Sequence, residues 1–405
     1  MLFRSVALLG DRSFDMPGGK AYRKLFDHVY EQVTATHMMS KYHDLGTAGN
    51  VAALNELKSL PWRNLQQTTD PAVDGISGER FAEDTLLRNA ACAGCPVGCI
   101  HLGFIREKFQ EENRWLYRQV SYDYEPIFAV GSMLGVTDAP GALKIMDAVE
   151  RQGLDVMSAG VALAWATEAL EQGVVGQDET LEPLAFGAVD VYCRALEHLG
   201  GAVNEFWRLL AAGVPRAAAR YGGEDFACVL GQEMAGYATG EAYFASQSMS
   251  FRHSHLDTSA YSFDQKTTEQ NAPAVADLLM ADERERAVLT SMVACLFARG
   301  VYSHESLAEC LTSIGGEDIA QGLDAAGEAI QQLRWRLRFD SGHRPEEVKV
   351  PKRFLQVQTW KGPIDPDYLQ AIRSEYAARI TSAAEAGRTH LARAQDEAET
   401  TDRSE

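Results

Sequence analysis

The residues best suited to chemistry are three cysteines within eight positions, Cys92-Ala93-Gly94-Cys95-Pro96-Val97-Gly98-Cys99, spaced C-x2-C-x3-C. Thiolates this close along a chain can converge on one soft ion or cluster. Gly94 and Gly98 permit a tight reversal and Pro96 stiffens it, so little freedom is lost when the loop wraps a ligand. Iron–sulfur clusters and structural zinc both ordinarily take four protein ligands. The fourth has to come from Cys193, Cys228, Cys295 or Cys310, or from His101 just past the loop. Zinc ribbons use two separated CxxC pairs. The x3 gap, with no second pair, departs from that pattern and favours a [4Fe–4S] cluster over a zinc staple.

Three other positions carry chemical potential. Glu125 stands beside Pro126 inside an otherwise apolar run, Tyr124-Glu125-Pro126-Ile127-Phe128-Ala129-Val130. An acid there is either functional or a helix N-terminal carboxylate stabilised by the dipole. Asp155 follows Gly153-Leu154 at a joint between two helices, where an acid is often only a cap. The stretch Arg252-His253-Ser254-His255-Leu256-Asp257 holds two histidines at i, i+2, but no third ligand is evident beside them. Cys295, in Met292-Val293-Ala294-Cys295-Leu296-Phe297, reads as a core cysteine when taken alone.

The elements that must position these groups are mostly helical. Apolar spacing predicts helices over 20–39 and 50–57, and a short capped helix from Ser77 to Arg88 that delivers the chain to the cysteine loop. The segment 61–64 reads as extended, and 104–122 as a hairpin. Thr137-Asp138-Ala139-Pro140 is a helix start and Gly153 its stop. A second helix, capped by Ser158, ends near Gly173. Helices follow over about 183–199, 202–220 and 266–300, with an irregular aromatic-rich segment over 231–264 between them. Ile319 to Leu337 marks an amphipathic helix and 340–364 an irregular stretch. Asp365 caps a terminal helix with Pro366 at N1. The loop His43-Asp44-Leu45-Gly46-Thr47-Ala48-Gly49 matches no phosphate-binding fingerprint and reads as a turn. Ser5 to Leu9 is a lone strand with no partner nearby.

Composition bounds the rest. A chain of 405 residues exceeds one ordinary core, and 46% hydrophobic with 23% charged residues is an ordinary globular balance. A net charge of −19 opposes nucleic-acid binding. No run of 18 apolar residues exists, so no membrane helix is expected, and the start is not a secretory signal. Seven cysteines with three clustered do not form a disulfide framework. A reducing, cytoplasmic setting is expected.

The ordered set Leu45-Gly46-Thr47-Ala48-Gly49, Leu60-Pro61-Trp62-Arg63-Asn64, the cysteine loop, Tyr124-Glu125 with Gly131-Ser132, Gly153-Leu154-Asp155 and Gly231-Gln232-Glu233-Met234 resembles the tungsten-dependent aldehyde:ferredoxin oxidoreductases. The resemblance covers nearly the whole chain and aligns it with the two C-terminal helical domains of that family. It implies a mainly α fold of two packed helical domains, 16–225 and 226–395. Residues 1–15 would be the remnant of a missing N-terminal β domain and 396–405 a frayed tail. It implies a [4Fe–4S] cluster on Cys92, Cys95 and Cys99 with Cys295 as fourth ligand, beside tungsten (or molybdenum) held by two pterins. Asp155, with Gly153 and Leu154, matches the pterin-binding acid. Glu125 matches a carboxylate near the metal. His255 matches the active-site histidine, with His253 as the alternative.

The activity implied is oxidation of an aldehyde to a carboxylic acid, with electrons leaving through the cluster to ferredoxin or a similar carrier. A separate subunit supplying the N-terminal domain is an expected partner. Thr290 and Val293-Ala294 stand where the family has an acid and Gly-Leu before the fourth cysteine, which weakens one pterin contact. Two other classes compete: a pterin-free [4Fe–4S] electron-transfer subunit, and a zinc-stapled helical scaffold.

Overall fold

Ser77 closes the first turn of a short helix by accepting from the Arg80 amide, and that helix hands the chain to a three-stranded sheet holding the cysteine loop. These relations come from a computed structural model, which describes residues 19–37, 39–109 and 114–402. The expected strand at 5–9 lies outside the described residues. In chain order the first elements are α1 (Lys20–Ala35), α2 (Asn50–Glu56) and α3 (Gly78–Asp84). Then come β1 (Leu86–Ala90), β2 (Ile100–Phe109) and β3 (Arg114–Tyr122), followed by α4 (Tyr124–Ile127), α5 (Ala139–Gln152) and α6 (Val156–Glu171). From there the chain is helical, with the long helices Ala272–Ser291, Leu323–Asp340 and Pro366–Asp402 packed together. The fold is mainly α, as the resemblance implied. Among the described residues, no helix is long and apolar enough to cross a membrane.

Several elements differ from their sequence reading. The capped helix stops at Asp84 rather than Arg88, because residues 86–90 pair antiparallel with β2 instead. The 61–64 segment is a turn: Arg63, Asn64 and Leu65 all have positive φ, at 44°, 54° and 58°. Side-chain contacts offset that strain, two of them from far along the chain. Asn64 donates to Glu168 Oε2 at 2.6 Å and to the Phe226 carbonyl at 3.0 Å, while Arg63 pairs with Asp70 at 2.6 Å. The expected helix over 202–220 is two, Glu205–Ala211 and Val214–Tyr221, broken at Gly213 where φ is 109°. The 231–264 segment holds a helix, Glu241–Met249, buried along its whole length. The terminal helix runs on to Asp402, well into the 396–405 stretch expected to fray.

Other readings match. The hairpin is β2–β3, in register from His101↔Tyr122 to Phe109↔Arg114. Asp138 caps α5 by accepting from Gly141 N, and Gly153 ends that helix in the left-handed region at φ 68°. The following cap is Asp155, not Ser158: its Oδ1 accepts from the Ser158 amide at 2.8 Å. Asp365 Oδ1 accepts from the Asp367 and Tyr368 amides. One apolar cluster runs from Ala48 to Ala384 and forms the main core.

Candidate functional site

Glu125 lies in the first turn of α4, where unpaired amides favour a carboxylate. Beyond Ile127 the helix widens into a turn of i→i+5 type over Phe128–Ser132, all of it buried. Against this segment α6 packs at backbone distance: a Cβ on Gly160 would stand 2.3 Å from the Ala129 carbonyl oxygen. The glycine-bearing loop contributes from the other side, with Thr47 Oγ1 accepting from the Tyr124 amide at 3.0 Å. The loop thus fixes the backbone next to Glu125, and Thr47 also lines the cavity beside it.

His255 reaches the same point from the 250–259 loop. Its Nε2 stands 3.1 Å from Glu125 Oε1, with the two side chains 10% and 17% exposed. Tyr237 donates its hydroxyl to the same Oε1 at 2.8 Å, and its ring stacks on Tyr261 at 4.5 Å. Sequence reading missed Tyr237. Its signal was position alone, three residues past the Gly231-Gln232-Glu233-Met234 motif. Burial pushes the Glu125 carboxyl up, but the His255 and Tyr237 contacts outweigh it and leave its pKa below the ordinary glutamate value. Asp123 behaves oppositely. Its residue is exposed overall, but loss of water around its carboxyl in the cavity wall and then the Glu125 charge raise its pKa.

His253 faces elsewhere. Its Nε2 lies 3.0 Å from the Arg338 guanidinium, and its ring packs on His343. Gly231 makes that placement possible, since a Cβ there would meet the His253 ring at 2.5 Å. Gln232 Nε2 donates to the His253 carbonyl at 2.8 Å, which gives the Gly-Gln-Glu-Met motif its part in holding the histidine loop.

A cavity of about 600 Å³ opens beside the Glu125–His255 pair. Its wall includes Asp123, Tyr237, Leu154 and Asp155, and Lys41 and Arg299 add positive charge. Gly153 is not in the wall; it acts through the turn that sets Leu154 and Asp155. Asp155 is exposed, and while Oδ1 caps α6, Oδ2 has no hydrogen bond among the described residues. A carboxylate with a spare oxygen, apolar walls and two cations fit the polar edge, rings and phosphates of a pterin.

The cysteine loop joins β1 to β2. Cys92 is exposed and Cys95 and Cys99 are half-buried. Cys295 is exposed in the turn after the helix Ala272–Ser291, so it is not the core cysteine its apolar neighbours imply when read alone. The two segments share a small apolar cluster in which Val97 of the loop joins Ala298 and Val301, with Cys95 and Cys99 packed on it. Tyr42, in the cavity wall, stacks on Phe297 at 4.5 Å. Burial raises the Cys99 thiol, and Cys295, Cys95 and Cys92, in that order, raise it further. The other three sulfurs therefore lie within electrostatic reach of Cys99. Among the described residues, no three His, Cys, Asp or Glu side chains converge tightly enough to hold a single metal ion. Three thiols from one loop and a fourth from a separate turn are a soft donor set of the kind that iron–sulfur clusters and structural zinc both take.

Three of the other candidates for fourth ligand are otherwise occupied. His101 Nδ1 lies 3.1 Å from the Cys99 carbonyl and Nε2 2.9 Å from that of Asp44. Cys228 is buried and directed at backbone carbonyls, and Cys193 sits against the Lys144 carbonyl. Cys310 is half-buried on the helix His304–Ser313.

A family profile described as aldehyde ferredoxin oxidoreductase, domains 2 and 3, matches residues 24–379. The chain belongs to the aldehyde ferredoxin oxidoreductase family. The tungsten-containing aldehyde ferredoxin oxidoreductase of Pyrococcus abyssi is 30% identical over 197 residues, 47% of this chain and 31% of the relative. That of Pyrococcus horikoshii is 25% identical over 335 residues, 78% of this chain and 54% of the relative. The chain thus spans from about a third to about half the length of these curated relatives. A solved structure, the active site complex BamBC of benzoyl coenzyme A reductase with 1,5 dienoyl-CoA, superposes with a TM-score of 0.68. At 14% identity, covering 92% of this chain and 66% of that one, it shows the shared fold.

Proposed function

We propose that this chain supplies the helical domains of a tungsten (or molybdenum) oxidoreductase that converts an aldehyde and water to a carboxylic acid, two electrons and two protons. The reading rests on one observation above others: the 3.1 Å contact between His255 and Glu125 in the wall of a cavity that also takes in Asp155. Cys92, Cys95, Cys99 and Cys295 would hold a [4Fe–4S] cluster. Asp155 would bind a pterin edge through its spare oxygen, with Leu154 against the ring. Bound there, the metal–pterin group would accept the two electrons and the cluster would relay them to ferredoxin or a similar carrier.

The protein's own part is proton handling and orientation. Glu125, held ionised near neutral pH by His255 and Tyr237, takes the proton of the attacking water. In the resting arrangement both donors are directed at Oε1. Once Glu125 gains a proton, its grip on them weakens. His255 can then donate to the oxygen of the carbonyl as charge builds on it. Asp123 beside it offers a second carboxyl of opposite tendency, a place for the proton on its way to the cavity mouth.

The test is aldehyde-dependent reduction of a viologen dye by anaerobically prepared, metal-loaded protein. Turnover should fall by roughly 10²–10³-fold in Glu125→Gln. Aldehyde oxidation that survives this substitution unchanged would refute the assignment. Exposure of Asp155 and its use as a cap favour a second reading, a pterin-free electron-transfer subunit, and iron without tungsten or molybdenum in the native protein would select it.

A further inference from the structure

We propose that Arg286 is a positioning residue for His255, holding the imidazole on Glu125 by gripping the backbone of the histidine loop. The inference deepens the reading of His255 given above and rests on it. Arg286 sits on the inner face of the helix Ala272–Ser291 and is only 4% exposed. Its Nη1 donates to two consecutive carbonyls, of His255 at 3.2 Å and of Leu256 at 2.9 Å. Its Nε faces Asp282 Oδ2 at 3.2 Å on the same helix, and Asp282 also accepts from the Ser259 amide. The grip on the loop is carried by Nη1, which bridges the two carbonyls, and by the ion pair with Asp282, since Nε and Nη2 make no hydrogen bond among the described residues; it is a buried contact and not a surface one.

The rest of the loop is tied down in the same manner. Asp257, 2% exposed, accepts from the Arg252 amide and from Arg252 Nε, both at 2.7 Å. The His253 carbonyl accepts from Gln232 and from Gln247, and His253 itself has φ 55°. Carbonyls 253, 255 and 256 are therefore all held by side chains from other elements, and the imidazole of His255 is the loop group left facing Glu125. Arg286 is the strut nearest that imidazole. Arg286 is not itself in the cavity wall; the wall residues it grips are His255 and Leu256, through their carbonyls, and of the two it is His255 that meets Glu125. A misplacement of about 1 Å at a reacting group can cost on the order of 10²-fold in rate.

Arg286→Lys keeps the charge but loses the fork that spans two carbonyls and a carboxylate. In the full chain with 13C-carboxyl-labelled glutamate, the Glu125 signal is assigned by its loss in Glu125→Gln. Its titration midpoint should rise in Arg286→Lys, because the His255 contact that depresses it is loosened. Arg334→Lys, which changes a neighbouring guanidinium that stacks on Phe251, should leave that midpoint in place. A midpoint unmoved by Arg286→Lys, or moved equally by both, overturns the proposal. Should Arg286→Lys fail to fold, Asp282→Asn tests the same strut and should move the midpoint in the same direction by less.

In metal-loaded enzyme, Arg286→Lys should lower kcat roughly 10- to 100-fold with KM little changed. In a His255→Gln background it should cost nothing further. An additive loss there contradicts a role exerted through His255. If His255→Gln alone leaves turnover intact, the catalytic reading of His255 fails, and the Glu125 midpoint still decides whether Arg286 positions the loop.

Discussion

Replacing Glu283 by glutamine should stabilise the protein at pH 8 and leave it unchanged near pH 4. Glu283 is 1% exposed on the helix Ala272–Ser291, where its Oε2 accepts from Gln331 Nε2 at 3.1 Å and from Trp335 Nε1 at 3.0 Å. Burial pushes its pKa from 4.5 up to about 7, against those hydrogen bonds and the Arg334 charge. In the unfolded chain the group ionises near 4.5, so between 4.5 and 7 the folded state holds the extra proton. The stability associated with it is complete below 4.5 and is lost as pH rises through 7. At 1.36 kcal/mol for each pH unit between those midpoints, the loss is roughly 3 kcal/mol. Glutamine keeps an acceptor for Gln331 and Trp335 and carries no charge, so it avoids that loss.

With an unfolding entropy of about 2.1 cal/mol/K per residue, 3 kcal/mol corresponds to roughly 3–4 °C in Tm if the chain unfolds in one step. The assay is paired thermal unfolding of wild type and Glu283→Gln at pH 4, 6 and 8. The gap in Tm should open with rising pH. A variant equally stable at pH 8, or one whose advantage grows toward acid, would refute the reasoning.

Tyr237→Phe removes one donor from Glu125 Oε1, so the carboxylate midpoint should rise. The acid limb of kcat/KM should move to higher pH, with a loss at neutral pH of about tenfold or less; a limb moving to lower pH contradicts this. Asp155→Ser preserves a cap, whereas Asp155→Ala loses one worth about 1 kcal/mol. If Asp155 also binds pterin, both variants should lose tungsten or molybdenum while only the alanine loses stability. Equal metal content in Asp155→Ser and wild type would reduce Asp155 to a cap. Cys310→Ser should retain its iron and Cys295→Ser should not, as read by iron analysis after anaerobic purification.

Much of this was legible before any fold was known. The Cys92–Cys99 spacing, the cap at Asp138 and the stop at Gly153 are local signals, and local chemistry decides them. The turn at Arg63–Leu65 was not legible: Asn64 at its centre is held by Glu168 and Phe226, which lie 104 and 162 residues further along the chain. The helix Glu241–Met249 escaped because it is buried on every side and so lacks the one-sided apolar stripe that reveals a surface helix. Resemblance singled out Glu125 and His255, and the fold brings them into contact. Tyr237 carried no such mark, since an aromatic among aromatics looks like core until its hydroxyl is seen to face a carboxylate. Arg286 acts on carbonyls, which have no side-chain identity for a sequence to display.

The most direct test of the account is the metal content and low-temperature EPR of the protein purified without oxygen. It predicts about four irons per chain with a broad absorbance near 400 nm, a reduced-state EPR signal, and loss of all three in Cys295→Ser. Zinc at one per chain, with no such absorbance and no EPR signal, would contradict it.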